Sequence, residues 1–224
     1  MKNTEKIKHI IGLLTGFFGC MLGTYVVILF NGNILMSLPL AVRMIAMIAV
    51  YWLIAAVPIV VMILSKDKLT DCGFSREKIV KQIIVGIAAG IAMSLVVTIV
   101  PYLAGFGELI SSGKPYTHLW QFAYEFVYCI FAVGLTEEFV FRGFLYHKLQ
   151  SAFGSELAAI IGSSVLFGLF HIFNESVLQI IMTALIGAIF CLCRKFIKNC
   201  TTLSLIIAHG VYDALITVWN FVFT

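Results

Sequence analysis

Seven apolar runs, each long enough to cross a bilayer, alternate along this chain with short polar or charged stretches. They lie at roughly 10–30, 44–64, 83–105, 119–140, 156–173, 176–193 and 202–222. A membrane-crossing helix needs about 20 predominantly apolar residues, and each run meets that length. The first run is longer than the ~7–15-residue apolar core of a cleavable signal, and no small-x-small cleavage site follows it before Asn31. It reads as a retained signal anchor. The pattern predicts an all-α, polytopic membrane helix bundle with about seven transmembrane helices, read as one membrane domain over 1–224. Within it, 1–110 supplies N-terminal membrane helices and 119–222 a core that holds the chemistry.

Charge placement orients the bundle. Lys2, Lys6 and Lys8 precede the first run, and Lys66, Lys68, Arg76, Lys78 and Lys81 follow the second. Arg142 and Lys148 lie beyond the fourth, and Arg194, Lys195 and Lys198 beyond the sixth. Thirteen of the 15 Lys and Arg thus fall on one side, leaving Arg43 and Lys114 on the other. The positive-inside rule makes the N-terminus cytoplasmic and the C-terminus external. The short loops suit a bacterial plasma membrane.

Composition agrees with a membrane protein: 61% of residues are hydrophobic and 12% charged, with a mean hydropathy of +1.04. A soluble domain is nearer half apolar and a quarter charged. The net charge of +4 follows from topology and anionic lipid, and gives no reason to invoke nucleic acid. The six cysteines form no Cys-x-x-Cys pair and read as reduced, small hydrophobes. Gly12, Gly16, Gly19 and Gly23 form a small-residue ridge on the first helix, as Gly86 and Gly90 do on the third; such ridges admit a neighbouring helix closely. Ser75 is placed to cap a helix starting near Arg76, with a short surface helix at the interface. Gly105 to Thr117 reads as an ordinary external connection.

Ionisable residues inside the runs concentrate in the last hundred positions. The helix of the fourth run, continued past its apolar stretch to about Leu149, carries Glu137, Glu138 and Arg142, the fifth His171, and the seventh His209 and Asp213. At membrane depth each such group is costly unless it is paired or faces a watery cavity, so a functional role is its default reading. Glu138 and Arg142, Phe167 and His171, and His209 and Asp213 are each spaced i, i+4, which stacks the two side chains on one helix face. Glu138 can then pair with Arg142, while Glu137 is turned about 100° away. At 1.5 Å per residue, Glu137, His171 and His209 stand about 18, 24 and 14 Å above the cytoplasmic helix ends. Tilts and loop offsets absorb that spread. Glu125, flanked by Tyr124 and Tyr128, reads as interfacial, and His9, His118 and His147 as boundary residues.

Two mechanisms suit a Glu/His/His set. Glu137 acts as a general base that activates a water with His171, while His209, with Asp213 behind it, stabilises an oxyanion. Alternatively Glu137, His171 and His209 ligate a zinc that acidifies its bound water, although no His-Glu-x-x-His stands in the chain.

On these residues the chain resembles the CAAX-processing and bacteriocin-processing intramembrane proteases (the CPBP or Abi family). The motifs are Glu137-Glu138-Phe-Val-Phe-Arg142, Phe167-Gly-Leu-Phe-His171 and His209-Gly-Val-Tyr-Asp213, in the family's order and covering about 120 to 215. The resemblance implies a membrane endopeptidase with Glu137 and His171 as the water-activating pair and His209 as the oxyanion partner. Glu138, Arg142 and Phe167 would be structural or orienting. It also implies a glutamate-based mechanism that requires no metal, and substrates such as a bacteriocin or pheromone leader or a self-immunity target. The family pattern allows Asn or Asp at the last position. Asn donates a hydrogen bond to an oxyanion and ionised Asp does not, so Asp213 is either protonated or orients His209. The expected partners are a peptide or membrane-protein substrate and the lipid bilayer. The alternatives from other classes are a non-catalytic immunity or scaffold protein on the same fold, and a proton-coupled transporter. A transporter predicts internal repeats, and none is detectable here.

Overall fold

The apolar runs fold as seven helical spans, Asn3–Ser37, Leu40–Ser65, Ile79–Phe106, Leu119–Phe153, Glu156–Asn174, Val177–Phe196 and Thr202–Phe223. The computed structural model describes residues 3–106 and 116–223, and among these there is no strand. All seven expected spans are present, and the chain is a multi-pass membrane protein. Lys114 and most of the 105–117 connection lie outside the described residues.

Contacts between sequence-distant residues show which loops share an end of the bundle. At the end bearing the N-terminus, Lys148 of span 4 pairs with Asp67 of the loop after span 2, at 2.6 Å. There, too, Thr202 at the start of span 7 donates its hydroxyl to the Cys72 carbonyl at 2.7 Å. The same loop accepts the Thr202 amide on the Gly73 carbonyl. At the opposite end the Tyr124 hydroxyl donates to the Met44 carbonyl at 2.9 Å, and Tyr102 stacks on Phe223 with ring centroids 4.2 Å apart. The spans therefore alternate in direction, and the basic loops gather at the first of these ends.

Local details depart from the sequence expectations for identifiable reasons. The 66–78 loop is built of turns, and its next helix starts at Ile79, because Lys78 adopts a left-handed conformation (φ 52°). Ser75 accepts from the Glu77 amide at 3.1 Å and so caps a turn. Span 2 breaks at Trp52 into Leu40–Tyr51 and Leu53–Ser65, and Pro58 cannot donate to the carbonyl one turn before it. Span 4 runs past the expected boundary to Phe153. There Gly154 (φ 64°) ends the helix, and Ser155 caps the next by accepting from the Ala158 amide at 3.2 Å.

The glycine ridges pack as the spacing predicts. Gly12, Gly16 and Gly23 are buried, facing Lys148, Phe144 and Leu53 respectively. A Cβ at Gly86 or Gly90 would stand 2.6 Å from the Ser204 or Ala208 carbonyl oxygen, which sets spans 3 and 7 in close contact. The basic-end half of span 4 is dense: Phe141, Phe144 and Leu145 are fully buried.

Candidate active site

The acidic pair sits on a single α-helical turn, Leu135–Glu138, between two π-helical stretches, Cys129–Gly134 and Phe139–Leu145. π-Helical turns bond i to i+5, occur mostly as short insertions, and are frequent at functional sites. They widen the helix here, and the Arg142 carbonyl inside the second stretch accepts a short hydrogen bond from the Arg194 guanidinium. Spans 4 and 7 touch backbone to backbone beside the pair. A Cβ at Gly134 would lie 2.5 Å from the Ile206 carbonyl oxygen. One at Gly210 would lie 2.6 Å from the Ile130 Cα. That approach lets Glu138 on span 4 reach His209 on span 7.

Glu138 and Arg142 are both fully buried. Arg142 Nε stands 3.2 Å from Glu138 Oε2, so the spacing-based pairing is present. The other Glu138 oxygen, Oε1, meets His209 Nδ1 at 2.6 Å. Glu138 thus bridges a guanidinium and an imidazole. The Arg142 guanidinium also lies over the Phe167 ring at 4.0 Å and near Phe190 at 5.2 Å. Aromatic faces attract such a cation when it is desolvated, which accounts for Phe167 in the motif.

Glu137 points away from this network. Its Oε1 accepts a 2.5 Å hydrogen bond from the Tyr51 hydroxyl on span 2. Its Oε2 is buried with no hydrogen-bond partner, 3.9 Å from His209 Nε2. A buried carboxylate oxygen without a partner is costly, and in a native fold it requires an explanation such as a catalytic role or an unseen water. His171 terminates the helix Glu156–Phe170 and holds the Phe167 carbonyl at 2.9 Å through Nδ1. That contact makes Nδ1 the donor and leaves Nε2 as the acceptor.

His209 is held from both sides. Opposite the Glu138 contact, its Nε2 stands 3.3 Å from Asp213 Oδ2. The carboxylate behind the ring is therefore Glu138, and Asp213 lies on the nitrogen that faces Glu137. Asp213 is the most accessible of the acids, its side chain 27% exposed.

Glu137, Phe167, His171, His209 and Asp213 line one cavity of about 470 Å³. Aromatic and aliphatic residues, among them Ile54, Phe170 and Tyr212, form the rest of its inner wall. Glu138 and Arg142 do not line it; they form the layer behind. As placed, the Glu137/His171/His209 set does not form a metal cage. Among the described residues no three His, Cys, Asp or Glu are arranged to hold a metal ion, and His171 Nδ1 and both ring nitrogens of His209 already face protein oxygens.

Other sequence readings sort as follows. Glu125, in the first turns of span 4, is 2% exposed, and its carboxylate accepts from the Tyr116 hydroxyl at 2.7 Å. His118 precedes span 4, its amide donating to Gln121 at 2.9 Å. His9 and His147 meet edge to face at the basic end. Tyr51 and Phe190, which touch Glu137 and Arg142, carry no signal in sequence, since a Tyr or Phe in an apolar run reads as packing.

Residues 119–215 match the family model described as Rce1-like, the type II CAAX prenyl endopeptidases. No curated protein and no solved structure matches the chain. The matched segment contains Glu137, Glu138, Arg142, Phe167, His171, His209 and Asp213, the residues of all three motifs. On this match the segment 119–215 is similar to the CAAX-type membrane endopeptidases.

Proposed function

We propose that the protein hydrolyses a peptide bond in a hydrophobic or membrane-associated peptide, with Glu137 as the general base. The observation that carries this reading is the state of Glu137: one oxygen tied to Tyr51, the other unpartnered, in one cavity with His171 and His209.

Glu137 Oε2 takes a proton from a water, whose oxygen adds to the scissile carbonyl carbon. His171 positions that water through Nε2, its own tautomer set by the Phe167 carbonyl. His209, oriented by Glu138 at Nδ1, offers Nε2–H to the oxygen on which negative charge develops. Preorganised donors of this kind are worth most where water is excluded. The proton on Glu137 then passes to the leaving amine, the C–N bond breaks, and the carboxylate is restored. Arg142 holds the Glu138 carboxylate in place. Asp213 occupies the His209 donor in the substrate-free protein, so it swings aside as the oxyanion forms. No step requires a metal. Bacteriocin leaders, peptide pheromones and self-immunity targets are the substrate types that this reading favours.

Purified protein in proteoliposomes, supplied with candidate leader peptides fused to a membrane anchor, tests the reading. General acid–base groups contribute about 10²–10⁴-fold. Glu137→Gln and His171→Ala should each lower cleavage by at least that lower bound while helical content is unchanged. Undiminished cleavage by Glu137→Gln overturns the assignment.

A further inference from the structure

The cavity has a direction. Its inner wall lies halfway along the spans, at Tyr51, Glu137 and His209, and its remaining lining extends toward one end of the bundle only. On that side it reaches Phe173 and Asn174 in the last, 3-10 turn of span 5, and Gln179 and Thr183 in the first turns of span 6. Thr24 and Ile28 of span 1 form the facing wall. Asn174 and Gln179 are exposed, so the cavity's polar rim is open at that end. Toward the other end the site is closed. Arg142, Phe141, Phe144 and Leu145 are fully buried beneath Glu138, and the Lys148–Asp67 and Thr202–Cys72 contacts lock the loops below them.

The closed end is the basic one. It carries Lys6 and Lys8, the Lys66–Lys81 cluster, and Arg194, Lys195 and Lys198. Such bias in short loops marks the cytoplasmic side. The open end carries Arg43 and the turn Glu175–Ser176, with no Lys or Arg between Lys148 and Arg194.

We infer that the active-site cavity opens on the external face of the membrane, so that its substrates are exported or membrane-inserted peptides whose scissile bond stands in the outer half of the bilayer. Cytoplasmic chains bearing a C-terminal lipid are then not its substrates. The inference rests on the proposed peptidase site for the word substrate; the direction of the cavity stands on geometry and charge alone. A peptide entering from outside passes the polar rim at Asn174 and Gln179, then the aromatic wall of Phe170 and Tyr212, before its carbonyl meets Glu137. The hydrophilic product leaves by the same mouth.

Thiol accessibility separates the direction of the cavity from its chemistry. Five of the six native cysteines are buried, which keeps the background low in the full chain. Gln179→Cys and Asn174→Cys report the mouth, and Lys198→Cys reports the basic end. A membrane-impermeant, charged thiosulfonate applied to intact cells should label the two mouth cysteines and spare Lys198→Cys until the cells are permeabilised. Mouth cysteines that react only after permeabilisation, or not at all, overturn the inference, as does labelling of Lys198→Cys from outside. This readout needs no activity, so an inactive but correctly labelled protein would count against the peptidase reading and leave the direction standing. A reporter peptide tethered on the external face should then be cut, and its cytoplasmic counterpart spared. Cutting of the cytoplasmic reporter alone also overturns it.

Discussion

Replacing Arg142 with Met removes a fully buried charge while keeping an apolar stem. In the native protein that charge lies 3.2 Å from Glu138 Oε2 and 4.0 Å above the Phe167 ring. The variant leaves the Glu138 carboxylate, itself 0% exposed, with His209 Nδ1 as its one close partner. Breaking a buried pair by removing one member costs about 3–5 kcal/mol. For a chain of this size 1 kcal/mol moves Tm by about 2–4 °C, so Arg142→Met should lower Tm by on the order of 10 °C. The double variant Glu138→Leu/Arg142→Met removes both charges. Replacing a buried ion pair by apolar groups of similar volume is often neutral or stabilising, so the double variant should recover most of the lost Tm. It should not recover activity, because His209 has lost the carboxylate that orients Nδ1. A loss of about 10²–10³-fold, the scale of one oxyanion donor, is expected. Thermal unfolding of purified protein in detergent and cleavage in proteoliposomes measure the two effects. A double variant as unstable as the single one refutes the ion-pair account, and a fully active double variant refutes the orienting role of Glu138.

Tyr51→Phe removes a hydrogen bond to a charged group, about 1.5–3 kcal/mol; kcat should fall about 10–100-fold with KM little changed, and steady-state kinetics on a cleavable reporter measure both. Gly210→Ala places a methyl group against the Ile130 backbone at the contact of spans 4 and 7. Overpacking there should cost about 1–3 kcal/mol in thermal stability and draw His209 away from Glu138, so activity should fall further than stability explains. Burial pushes the Cys72 thiol up to about 12. Since the thiolate is the reactive form, iodoacetamide at about pH 8 should leave Cys72 unmodified in the folded protein and modify it after unfolding, as peptide mass mapping would show.

The spans were legible because hydrophobicity runs unbroken through each and charges punctuate them. Glu138 and Arg142 were also legible, since their pairing is local and set by helical spacing. The contacts that give the pair its two roles are not local. His209 is 71 positions from Glu138, and Tyr51 is 86 positions from Glu137. Neither contact leaves a periodic trace. The π-helical stretches flanking Leu135–Glu138 escape an argument that assumes 3.6 residues per turn. The tyrosines flanking Glu125 suggest a membrane boundary but do not reveal its partners, the Tyr116 and Thr217 hydroxyls, which come from other parts of the chain. Asp213 was expected behind His209 because i, i+4 spacing fixes a shared face but not which ring nitrogen is met.

The central claim is that the Glu137 carboxylate performs the hydrolysis. Its most direct test is single-turnover cleavage of a membrane-anchored peptide by wild-type protein and by Glu137→Gln, reconstituted at equal amounts and with matched helical content. The account predicts exponential product formation by the wild type and a rate at least about 10²-fold lower from the variant. Equal rates from the two proteins would contradict it.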